Sequence, residues 1–163
     1  MQMPLFRAMI LAVAASAVLV PPLVAAEHQH VATTGDIRIV HAWARAAAAG
    51  SDTLVFMDIE NKGAADRLLA AESEKASRAE IVGITMQDGN SGAMPLGPVD
   101  IAAGETLLDP GGMAIALRGL TGDLMKGEDF GLTLQFEKAG AVELDVEIEA
   151  SDAMQHSHAG HAH

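Results

Sequence analysis

The chain has 163 residues, no cysteine, one tryptophan, four phenylalanines, no tyrosine and a formal net charge of −12. The acidic balance excludes nucleic acid as a partner, which demands a basic surface, and it favours cations. The missing cysteine excludes disulfides, a thiolate nucleophile and a lipid-carrying cysteine. So few aromatic rings leave no stacking platform for bases or sugars.

Residues 1–26 carry one cation, Arg7, then an apolar run from Ala8 to Val20, then small residues ending at Ala25 and Ala26. That is the layout of a secretory signal peptide, predicted to be cut near Ala26, and it places the mature protein in the periplasm. As a membrane anchor the run is short, and Pro21 and Pro22 close it. Cleavage there removes Arg7 and no acid, leaving 9 basic against 22 acidic residues, or −13. A cut one residue earlier would open the chain "AEH", whose amine, two amide nitrogens and imidazole suit square-planar Cu(II).

Residues 27–35, "EHQHVATTG", are expected to be a flexible mature N-terminus. A single domain is expected over 36–150. "DIRIVHAWA" alternates around Ile37, Ile39 and His41, and "TLVFMDIEN" runs into the turn signal "NKG". "RAAAAG" at 45–50 is a small-residue linker, and "DRLLAAES" fits either a strand or a helical turn. "RAEIVGITM" precedes the turn "QDGNSG". "PVDIAAGETLLDPGG" is cut by turn residues, and "MAIALRGL" alternates again. "GEDFGLTLQFEKAG" and "AVELDVEIEA" form a closing pair joined at "KAG". In its second half Val142, Leu144, Val146 and Ile148 share one face and acids the other. Many short strands with regularly spaced turns predict an all-β sandwich or barrel. From Ser151 onward the periodicity is lost, and 151–163 is expected to be a disordered histidine-rich tail.

Enzyme templates are missing: there is no Gly-x-Ser-x-Gly elbow and no phosphate loop. The one histidine within the strands is His41, expected to be a structural residue beside Trp43, and no catalysis is expected. The other six histidines lie at the ends: His28 and His30 near the start, and His156, His158, His161 and His163 in the last eight residues. Imidazole suits Cu(II), Ni(II) and Zn(II), and Met154 adds a thioether. The tail histidines are therefore the leading metal candidates, with His28 and His30 behind them. Met86 and Met94 flank the "QDGNSG" turn and could meet across it, although two thioethers alone would be a weak Cu(I) site.

"IVHAWARA", "IENKG", "AAGETLLDPGGMAIALRGL" and "LMKGEDFGLTLQFEKAG" together resemble, in order across residues 36–149, the PCu(A)C family of exported copper chaperones. The resemblance implies a cupredoxin-like Greek-key β-sandwich. It also implies copper as cargo, and as partner a cytochrome oxidase subunit or another copper-delivery protein. Members of that family hold copper with a histidine, a methionine about eleven residues on, and a His-x-Met pair after the Gly-Gly turn. Here the first histidine aligns with Val82 or its neighbours in "AEIVGITM", none of them a histidine, Met94 sits near the methionine, and the pair falls on Ala114 and Ala116. Met113 is one residue off and should point to the other face, while Arg118 shares the face of the two alanines and would repel a cation. The resemblance thus describes a divergent member whose folded-domain site is degenerate and whose Cu(II) would sit in the tail. The alternative is a metal-independent binding module on the same fold.

Overall fold

Short β-rich runs separated by glycine-containing turns favour strands over helices, and the described residues fold accordingly. The structure, a computed structural model, describes residues 31–87 and 89–157. These form eleven strands: β1 (Ala32–Thr34), β2 (Ile37–Arg45), β3 (Thr53–Asn61), β4 (Asp66–Glu72), β5 (Ala76–Gln87), β6 (Asn90–Pro95), β7 (Val99–Ile101), β8 (Gly104–Leu108), β9 (Met113–Leu120), β10 (Asp129–Phe136) and β11 (Gly140–Glu149). Among the described residues no helix is long and apolar enough to cross a membrane.

The hydrogen-bonded order is β6-β5-β9-β3-β2-β11-β10-β4-β7, with β1 on β2 and β8 on β3. Strand β3 pairs with β9 through residues 53–55 and with β8 through residues 57–61, so it serves both layers of the sandwich. All pairings are antiparallel except one: β11 runs parallel to β2, with Glu147 opposite Trp43 and Glu149 opposite Arg45. The closing pair forms as expected, Phe136 facing Gly140 across the turn. Val142, Leu144, Val146 and Ile148 point inward to join Ile39, Leu132 and Phe136 in the main core. A second, smaller cluster lies on the outer face of β2, β3, β5 and β9: Trp43, Phe56, Val82, Ala114 and Ala116.

Asp66 ties β4 to the closing turn. It is buried, and its carboxylate accepts the backbone N–H groups of Arg67 at 2.7 Å and of Lys138 and Ala139 at 2.9 Å each. Burial pushes its pKa up, but the three N–H donors and the Lys138 charge outweigh that and hold it below its ordinary 3.8.

Four expectations are corrected or resolved. "DRLLAAES" is strand, not a helical turn. Residues 32–34 are not loose: β1 zips onto β2, with Ala32 opposite Ile39. The alternation through His41 breaks, because the β2–β3 register shifts between Val40 and Trp43. His41 adopts φ 53° there and turns outward, while Ala42 and Ala44 take over the inward face. The fourth concerns the tail, which does not loosen at Ser151. Residues 151–157 turn back over the outer face, where Ala153 packs against the Trp43 cluster. Arg45 Nε donates to the Ala153 carbonyl at 2.7 Å, while its guanidinium lies 5.6 Å from the Phe56 ring centre. Burial of the Trp43–Phe56 face, rather than any period in the tail sequence, is what holds this segment down.

Candidate metal centre

On β11 the odd-numbered acids face outward, and the parallel pairing with β2 sets Glu147 and Glu149 beside the outward Trp43 and Arg45. The returning C-terminal segment lays His156 on this row. The imidazole is 4% exposed. Its Nε2 lies 2.8 Å from Glu147 Oε2 and 3.9 Å from Glu149 Oε1. One ligand atom from each of these three residues falls within 4.8 Å of the others, a spacing that can hold a metal ion. The Ser157 N–H donates to Glu149 Oε1 at 2.7 Å. Burial alone would raise the Glu149 carboxyl, but hydrogen bonds from Ser157 and the His156 and Lys126 charges prevail and keep it below its ordinary value. Glu149 is therefore an anion at neutral pH, as a ligand for a cation must be.

His41, released outward by the bulge, lies on the same side. Its ring centre is 6.1 Å from that of His156. Its Nδ1 is 2.7 Å from Asp58 Oδ2. A carboxylate only accepts, so Nδ1 carries a proton and Nε2 faces away from Asp58.

The positions of the implied folded-domain site tell a different story. Val82, Ala114 and Ala116 do converge, since Val82 pairs with Ala114 across β5 and β9. They converge as a buried apolar cluster with the tilted Trp43–Phe56 pair, whose ring centres are 4.7 Å apart. Met113 packs against the main core instead, as its parity requires. Arg118 is neutralised by Asp52 at 2.9 Å and Glu80 at 3.3 Å. These partners raise its pKa despite burial, the Asp52 hydrogen bond contributing most.

Met86 and Met94 do not come together. Met86 lies opposite Ser91 and Met94 opposite Gly83, three residues apart along β5, so the two side chains leave opposite faces of the hairpin. They are 71% and 56% exposed. Met86 shares a cavity of about 450 Å³ with Met154, Phe56 and Arg118. His28, His30, His158, His161 and His163 lie outside the described residues, as does the signal-peptide segment. The residues that sequence reasoning passed over are His41, Asp58, Glu147 and Glu149. The signal for the last two was present in the strict outward acid row of β11; the pairing that brings His41 beside it leaves no local trace.

Fold and site together define a one-domain β-sandwich with a histidine–carboxylate cluster on its outer face. The LpqE-like family matches residues 37–148, and the chain belongs to this PCuAC-type family. The apo PCuAC domain from PmoF1 is 32% identical, with a TM-score of 0.63 over 74% of this chain and 99% of that one. The copper-bound PCuAC domain from PmoF2 is 25% identical, with a TM-score of 0.63 over 74% of this chain and 98% of that one. The Cu(I) form of DR1885 from Deinococcus radiodurans shares the fold at 21% identity, TM-score 0.51, over 68% of this chain and 78% of that one. No curated protein matches the chain.

Proposed function

We propose that the protein is an exported, periplasmic copper-binding protein that holds Cu(II) through its terminal histidines and passes it on. The observation that carries this reading is His156, a tail imidazole seated against Glu147 and Glu149 with metal-compatible spacing. The likeness to a copper-bound PCuAC domain supports copper as the ion. His158, His161 and His163 extend the same segment and would add nitrogen donors, with His28 and His30 as a further pair. The recipient is a cytochrome oxidase subunit or another copper-delivery protein, and no catalytic step belongs to this reading. Cu(I) is not the expected cargo, because apolar side chains fill the aligned ligand positions and Met86 and Met94 diverge.

The test is a titration of mature protein with Cu(II) and Cu(I), beside a form ending at Ala150. The expected result is Cu(II) binding by the longer form, lost on truncation, with no tight Cu(I) binding by either. Equal Cu(I) binding by both would place the site elsewhere in the sandwich. The apolar cluster and the neighbouring 450 Å³ cavity favour a second reading, a metal-independent binding module. That reading stands if neither form binds either ion.

A further inference from the structure

An imidazole from β2 and one from the returning C-terminal segment face each other on the outer side of β2, β3 and β11, each against carboxylates. We propose that His41 and His156, with Glu147 and Glu149, form one mononuclear site for a divalent cation, for which Cu(II) is the fitting ion. The proposal rests on the reading of His156 as a ligand and adds the half of the site contributed by the sheet.

Ligand atoms of Glu147, Glu149 and His156 already stand within 4.8 Å of one another; His41 lies just outside that spacing, and its half-exposed ring turns in to complete the site. Metal–nitrogen bonds of about 2.0–2.1 Å put each ring centre about 3.2 Å from the ion, so two rings on opposite sides of one ion have centres at most about 6.4 Å apart. The observed separation is 6.1 Å. Ligand atoms around such an ion lie about 3 Å from one another, close to the 2.8 Å between His156 Nε2 and Glu147 Oε2. A cation there replaces the proton these two atoms share. Asp58 plays the outer role: a carboxylate on one ring nitrogen fixes the tautomer and aims the other nitrogen at a metal. The backbone agrees. His41 is the one non-glycine residue with positive φ among the described residues, and it sits at a bulge. Bulges and left-handed non-glycine residues are devices that re-aim a side chain at functional sites. Half of the His41 side chain is exposed while His156 is buried, which leaves an open side for the ion. Two imidazoles with two carboxylates form a nitrogen–oxygen set, and Cu(II) binds such sets most tightly among the divalent first-row ions.

The test uses the full mature chain with His28, His30, His158, His161 and His163 all replaced by alanine, titrated with Cu(II) alone against a competing chelator. This five-alanine form should keep one tightly held equivalent. Adding His41→Asn should weaken it at least tenfold and lower the number of nitrogens coupled to Cu(II) in the paramagnetic resonance spectrum. Asparagine tolerates the left-handed conformation, so the bulge survives the change. Asp58→Asn should weaken binding 10- to 100-fold through the orientation of His41. Circular-dichroism melts confirm that each form folds. Unchanged affinity in both the His41→Asn and Asp58→Asn forms overturns the proposal. So does loss of all binding in the five-alanine form, an outcome that leaves a flexible-tail copper site standing. Absence of Cu(II) binding by the unmutated chain would remove both readings.

Discussion

Asp66 carries more of the fold than its place as the first residue of β4 suggests. Three backbone N–H groups, two of them from the β10–β11 turn, depend on its carboxylate. Asp66→Asn keeps the shape but sets an amide N–H₂ against backbone donors, leaving buried groups unsatisfied. The expected cost is about 2–3 kcal/mol, read as a lowered urea midpoint. The pH dependence has a definite sign. The folded carboxyl sits below its ordinary 3.8, so its contribution is complete above about pH 4–5 and disappears as pH falls through the folded value. Acid melts should therefore show the unmutated protein losing stability more steeply below pH 4 than the Asp66→Asn form. The same scale holds what the sequence hid. Alternation through Ile37 and Ile39 sends His41 inward, and only the register shift after Val40 turns it out toward Asp58. An inserted residue in a strand is a tertiary accommodation with no composition of its own.

Elements were legible where period and turn chemistry agreed. The "QDGNSG" and "KAG" turns, the acid row of β11 and the inward set from Val142 to Ile148 all stand where the alternation put them. What pattern does not encode is which strands become neighbours at long range. The parallel contact of β11 with β2 joins residues about a hundred positions apart, and it alone creates the Glu147–His41 neighbourhood. The tail was unreadable for a related reason: residues 151–157 are held by the face they cover. Strand β9 shows how tightly neighbouring elements are fitted. Gly119 has φ 59°, and a Cβ there would stand 2.6 Å from Ser77 Oγ on β5. Ser77 Oγ in turn donates to the Arg118 carbonyl. Gly119→Ala should cost about 1–3 kcal/mol from backbone strain and the displaced serine. The check is chemical denaturation, where the midpoint falls and the m-value stays the same.

At the scale of the whole molecule, the sandwich has two features on one side: a buried apolar cluster around Trp43 and Phe56, and a polar row ending at His156. The first occupies the place that the family resemblance assigns to copper ligands. Restoring that pattern with Ala114→His and Ala116→Met forces two large side chains into a region where both alanines are fully buried. Overpacking of this kind typically costs about 1–3 kcal/mol, with the buried imidazole adding to it. The double variant should melt lower and gain no tight Cu(I) site in a competition titration. A gain of tight Cu(I) binding would show that the cluster is a readily reopened site.

The parallel seam between β2 and β11 also sets an order of assembly. Glu147, Glu149 and His156 follow His41 and Asp58 by about a hundred residues in the chain. No partial chain can bring the two imidazoles together, because the final strand must dock before either carboxylate reaches β2. A growing polypeptide therefore has no means of capturing an ion at this cluster too early. Completion of the cluster waits on the docking of β11 along β2.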